Sequence, residues 1–353
     1  MKNLFLLIAL TLGLGLGAQT VHTVDNNVNS GADFTSVQAA IDAATAGDII
    51  YIHPSPDSYG SITVNKTIHL RGMAHRPELN PAENTQLELL QFNAPIGAPG
   101  CSFQGLRFSN INISGNTNQD YSNQTFINNR LTGTITAGQN CDNWLFQGNA
   151  ITGNMFDLID QGSANNNWMF VNNFIQNSAT SYTWTTFENL NSTTVFRNNI
   201  IRCYTNDLSP WVWNSCTGLV VENCVFLFNS GNVTEVSGSN SSVTYNNCLS
   251  FNYVGDIMGE LPGTNNTSNE NPVFLIDANT GGFSSGSDYQ LDPSSPGYQA
   301  GTDGEDIGIY GNGFEYSMNG YPLDLPYPTQ MTISSTTVVS GSDLEVQFKA
   351  KGN

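Results

Sequence analysis

A solenoid of stacked, strand-bearing repeats is the fold class that the sequence predicts, and three observations predict it. One motif recurs along the chain: an aromatic or apolar lead residue, Asn or Gly two places later, and usually an apolar residue five places later. Phe170-Val171-Asn172-Asn173-Phe174-Ile175 is its clearest copy. The lead positions Phe103, Phe126, Phe146, Phe170, Phe196, Val221 and Tyr245 follow one another at intervals of 20–26 residues. A period of that size means units that each bury a face against the next. Short apolar or alternating runs, Ile49–Ile52, Ile62–Val64 and Thr67–Leu70, read as strands. Finally, charged residues are only 11% of the chain while 39% is hydrophobic, so enough apolar surface is present to drive packing and the low charge does not signal disorder.

Taken in order, the elements begin with Lys2, an apolar run from Leu4 to Leu16 and the small residues Gly17-Ala18. Residues 1–18 read as an export signal, cleaved before Gln19, leaving a secreted or surface-held chain. That run is too short to span a bilayer, and no other stretch reaches the length needed. Thr35-Ser36-Val37-Gln38 reads as a capping box opening a helix over about residues 35–46. Val37, Ala40, Ile41 and Ala44 form its apolar stripe, and Gly47 stops it. Such a helix would cover the open end of a stacked core. Regular coils are expected over about residues 49–254 and irregular ones over 255–313, where Gly, Asn and Ser dominate. Pro322, Pro326 and Pro328 mark a linker in the 314–353 tail, whose alternating residues 331–333 and 343–348 predict a hairpin.

Phe34 to Ala44, followed by Gly47-Asp48-Ile49-Ile50-Tyr51-Ile52, resembles the opening of proteins of the pectin-lyase-like superfamily. Tyr59-Gly60, the strand Ile62 to Lys66, and Thr67 to Gly72 match the usual continuation. Ser295-Pro296-Gly297, Ala300 to Gly304 and Asp306 to Gly311 resemble the closing coil of many secreted members. The resemblance covers about residues 32–313 and implies an all-β, right-handed parallel β-helix for residues 19–313. It implies carbohydrate as the ligand class, reached by hydrolysis, by lyase chemistry or by binding alone.

In such a fold like residues stack along the axis. Phe at the lead position would form an inward aromatic file through five coils. Asn128, Asn172, Asn198, Asn223 and Asn247 would line up at one turn as a ladder of side-chain amides, with Gly105 and Gly148 interrupting it. Cys224 and Cys248 share a coil position and would stack as reduced, buried thiols.

Function classes narrow by elimination. The net charge is −19 with ten Lys and Arg, scattered and without a basic stripe, so nucleic acid is excluded as a partner. No Cys or His spacing suggests zinc, no phosphate loop is present, and no nucleophile elbow occurs. The Asp-Asp, Gly-His-Gly and Arg-x-Lys strings of polygalacturonase-like members are absent, and Lys66 is the sole Lys between Asn3 and Phe348. Arg107 and Arg130 share a coil position and would stack, a pair able to grip a sugar carboxylate. The segments 158–161, 186–189, 212–215 and 235–238 look equivalent, and their residues Asp160, Glu188, Asn214 and Ser237 would form one outward column. Asp160 and Glu188 are then the candidate catalytic pair, at ~5 Å, a separation that suits a retaining glycosidase or a shared Ca²⁺. Asp157, Tyr182, Trp184, Asp207, Trp211 and Trp213 lie beside them as candidate sugar contacts, aromatic faces next to carboxylates. The same column would equally serve a non-catalytic glycan-binding protein.

Overall fold

The computed structural model describes residues 19–73, 85–92, 98–113, 119–153, 157–162, 165–178, 185–203, 211–229, 235–238, 240–255, 257–277, 286–322, 326–333 and 345–351, with residues 231, 233, 283 and 284. Every strand pairing in the coils up to Ser268 is parallel and joins a residue to its counterpart one repeat later, giving the parallel β-helix that the resemblance implies, while Phe274–Ile276 and Asp288–Leu291 pair antiparallel beyond it. Each coil contributes to three faces. The first is an 11-stranded sheet running from Val21–Val24 to Gly263–Thr264. The second and third belong to one 14-stranded sheet, hinged at the long strand Arg107–Ile113, which pairs with Arg130–Leu131 on one side and Ile135–Thr136 on the other.

The lead residues face inward as expected. Phe103, Phe126, Phe146 and Phe170 stack at centroid distances of 4.9–5.0 Å with interplanar angles of 12° or less. Phe196 continues the file at 5.5 Å, tilted by 40°. Beside it Trp144 and Trp168 form a second stack at 4.7 Å. Offset aromatic stacks of this kind combine large buried area with a favourable ring geometry.

The amide ladder forms one residue later than expected. Asn128, Asn172, Asn198, Asn223 and Asn247 adopt φ of +52° to +55°, as Gly105 and Gly148 do at +65° and +68°. They make the left-handed turn between the first and second faces. The ladder itself is Asn129, Asn149, Asn173 and Asn199. Each accepts the preceding rung's backbone N–H, as Asn149 N to Asn173 Oδ1 (3.0 Å) and Asn173 N to Asn199 Oδ1 (2.9 Å). Each also donates to the lead carbonyl of the previous coil, as Asn173 Nδ2 to Phe146 O (2.9 Å). Cys224 and Cys248 extend the ladder through their sulfurs, and both thiols are free and buried. Asn-Asn pairs at 128–129, 172–173 and 198–199 therefore divide two tasks, one rung buried in the turn and one directed outward.

The outward members grip the C-terminal segment. Asn172 Nδ2 donates to Ile309 O (3.1 Å) and Gly311 O (2.9 Å), Asn247 Nδ2 to Ala300 O (2.7 Å), and Asn128 Nδ2 to Tyr321 O (2.7 Å). That segment covers the second face, where Phe174, Ile200, Val225 and Leu249 pack against Tyr289, Leu291, Ile307 and Ile309 in a core of their own. The buried Arg202 is held there by Asp277, Nη2 to Oδ2 at 2.9 Å. Residues Tyr327–Ile333 and Val346–Lys351 form a two-stranded antiparallel pair.

The capping helix runs over Val37–Ala43, with Ser36 rather than Thr35 as its N-cap, accepting from Ala39 N. Gln38 does not close a capping box, because its amide is drawn to the Ile62–Val64 strand: Thr63 N donates to Gln38 Oε1 at 2.8 Å. At the same end Asp48 accepts from Thr20 N, Thr45 N and Thr45 Oγ1 at 2.8–2.9 Å and faces His22 Nε2 at 3.2 Å. Burial alone would raise its pKa, but the backbone N–H groups of Thr20 and Thr45, with His22 and the Thr45 hydroxyl, hold it well below the usual 3.8. A depressed folded value makes its stabilisation complete above the unfolded value and progressively lost as pH falls below about 3.8. Acid titration of the urea midpoint should show that loss, and Asp48→Asn should flatten it.

Candidate functional site

The third face carries the predicted column. Ile111, Ile135, Ile159, Phe187 and Trp213 are in register and point inward. Their C-terminal neighbours Asn112, Thr136, Asp160, Glu188 and Asn214 are in register as well, and alternation turns them outward. The acidic pair thus sits on adjacent strands, Asp160 opposite Glu188 and Glu188 opposite Asn214. Ser237 does not join the column. It bridges to Trp213, one place out of register, and its hydroxyl turns inward to Tyr245 Oη at 2.7 Å.

Amides hold both half-buried carboxylates. Asp160 Oδ1 accepts from Gly162 N (2.8 Å) and from Asn189 Nδ2 (2.9 Å), one coil on. Glu188 Oε1 accepts from Asn214 Nδ2 at 3.0 Å, again one coil on. The result is a file of fixed acceptor oxygens alternating with amides, suited to receive the hydroxyl donors of a polymer lying along the axis. Sequence reasoning found the acids but not Asn189 and Asn214 as their partners; the signal available was Asn one place after Glu188 and at the equivalent of Glu188 in the next repeat.

Trp213 is corrected. It is fully buried, stacked on Phe187 at 4.9 Å, with Nε1 donating to Tyr245 Oη at 2.8 Å, so it is a core residue and not a sugar platform. The reason is the period-2 alternation: a residue next to outward Asn214 must face inward. Trp211 is partly buried, its ring against Gly238, where an added Cβ would come within 2.7 Å of it. Asp157 is paired with Thr185 through its backbone, its side chain lying outside the described residues, as do Tyr182, Trp184 and Asp207.

Arg107 and Arg130 stack as expected, but on the second face, at the head of the covered column that continues through Ala150, Phe174 and Ile200. The Arg130 guanidinium lies over the Phe283 ring at 5.6 Å. The structure therefore places the arginines on a different face from Asp160 and Glu188, with Arg130 against the covering segment.

Other chemistry is limited. Burial pushes the Cys203 and Cys216 thiols up to about 12, removing them as nucleophiles. Among the described residues no three His, Cys, Asp or Glu gather to hold a metal ion, and no helix is long and apolar enough to cross a membrane.

No protein-family model matches the chain, and no curated protein matches it. Among solved structures it is similar to a pectin methylesterase mutant in complex with a hexasaccharide, at 10% identity and a TM-score of 0.35, over 70% of this chain and 93% of that one. At that degree of likeness the fold rests on the chain's own strand register.

Proposed function

We propose that the protein is exported and binds polysaccharide along its third face, without needing to cleave it. The observation that carries this reading is the register of Asn112, Thr136, Asp160, Glu188 and Asn214 on successive coils. A linear polymer offers hydroxyls at regular intervals, and strands ~4.8 Å apart offer acceptors at regular intervals to meet them. The export signal read in residues 1–18 supports an extracellular setting in which such polymers occur. Incubation with a panel of neutral, amino and acidic polysaccharides should give saturable binding to at least one, with no release of reducing or unsaturated ends.

One observation favours a catalytic second reading. Asp160 and Glu188 stand on paired strands, and a strand spacing of ~4.8 Å is close to the ~5–5.5 Å between carboxyl groups in retaining glycosidases. Product release that disappears in the Asp160→Asn, Glu188→Gln double variant would favour hydrolysis over binding alone.

A further inference from the structure

The inward file of lead residues ends in a cavity. After Phe196 it continues through Val221 and Tyr245, and the next lead position is Gly263. Gly263 has φ +138°, and an added Cβ would stand 1.8 Å from Tyr245 O, so no side chain can extend the file there. Where the ring stack stops, a cavity of about 410 Å³ is lined by Tyr245, Ser237, Leu261, Pro262, Glu235 and Glu260. That volume falls in the range of small-molecule sites, ~300–1,000 Å³.

Hydrogen bookkeeping within the lining leaves a donor over. Tyr245 Oη accepts from Trp213 Nε1 at 2.8 Å and shares one further bond with Ser237 Oγ at 2.7 Å. The two hydroxyls carry two hydrogens, and their mutual bond uses one. Whichever way it runs, one O–H is left to donate, from residues that both line the cavity. Tyr245 is almost wholly buried, and burial pushes its hydroxyl pKa well up, so that proton stays in place.

The lining residues therefore carry one O–H beyond the Tyr245–Ser237 bond, two exposed carboxylate acceptors on Glu235 and Glu260, and apolar surface from Leu261 and Pro262. Among the described residues it includes no Lys, Arg or His. An apolar body bearing several hydroxyls satisfies all three features, whereas an anion would meet two carboxylates and no cation. We infer that the cavity at the C-terminal end of the solenoid binds a single sugar unit that carries no negative charge. The inference rests on the carbohydrate reading above and narrows it: the ligand is a neutral or amino sugar, not a uronate.

Calorimetric titration of the full chain with glucose, galactose, glucosamine and glucuronate tests this. Saturable binding of at least one uncharged or amino sugar is expected, with glucuronate at least about tenfold weaker. Glu260→Gln separates the two sources, weakening glucosamine more than glucose or galactose if an ammonium group is recognised. Ser237→Ala, which disturbs the donor pair, and Leu261→Trp, which fills the cavity, should each weaken binding about tenfold or more while the circular dichroism spectrum is retained. No saturable binding by any of the four sugars, equal affinity for glucuronate, or wild-type affinity in folded Leu261→Trp would overturn the inference. Polysaccharide binding measured in parallel keeps the two readings apart: it depends on Asp160 and Glu188, and its retention alongside any of those three results overturns the cavity alone.

Discussion

Asp277→Ala is expected to destabilise the protein by about 3–5 kcal/mol, among the largest effects of any single change. Arg202 is fully buried on the second face, where its Nη2 reaches Asp277 Oδ2 at 2.9 Å and Tyr253 Oη at 3.1 Å. Tyr253 Oη donates in turn to Asp277 Oδ2 at 2.7 Å, and the guanidinium carbon lies 5.3 Å from the Tyr253 ring centre. Removing the carboxylate takes a charged partner from a buried guanidinium, which costs far more than the pair contributes. Adding Arg202→Met to Asp277→Ala should recover much of the loss, because an apolar side chain of similar length suits the surrounding Leu227 and Tyr289 environment. Urea denaturation of the two single variants and the double variant measures both effects. A double variant no more stable than Asp277→Ala would show that the charge pair is not what limits this region.

Asn173→Ala should be comparably severe, about 3–5 kcal/mol, while Asn172→Gly should cost only about 1–2 kcal/mol. Asn173 is fully buried and satisfies the N–H and amide of Asn149 as well as the carbonyl of Phe146. Ala leaves those groups without partners in the interior, where each orphan costs about 1–3 kcal/mol. Asn172 sits at φ +55°, which Gly adopts freely, and loses only its bonds to Ile309 O and Gly311 O. The order of the two urea midpoints is the test. Equal midpoints would mean that the rungs share the load.

Those two Asn positions also show where the sequence could be read and where it could not. The 20–26-residue period and the Phe file were legible because a stacked core repeats the same inward residue at the same phase. The ladder was misplaced by one because Asn occupies both adjacent positions in three of the seven repeats, at 128–129, 172–173 and 198–199. Gly105 and Gly148 held the answer, since Gly marks the left-handed position and Asn149 follows it. The Asp160, Glu188 and Asn214 column was legible from the equivalent segments, yet the alternation that exposes it also buries Trp213. Paired apolar residues such as Phe174-Ile175 and Ile200-Ile201 signal a strand buried on both sides, and the C-terminal segment supplies the second cover. The Arg202–Asp277 contact joins residues 75 apart through irregular coils, where no period links the partners.

The affinity of the Asp160→Asn, Glu188→Gln double variant for the polysaccharide that the wild-type chain binds tests the central claim most directly. Both substitutions keep the oxygen that accepts from Gly162, Asn189 or Asn214, so the coils should stack unchanged and only the outward charge is lost. At matched thermal stability, binding should weaken at least about tenfold, roughly the 1.4 kcal/mol that a charged acceptor contributes to a hydroxyl donor. Wild-type affinity in the folded double variant would contradict the account and move the binding surface off the third face.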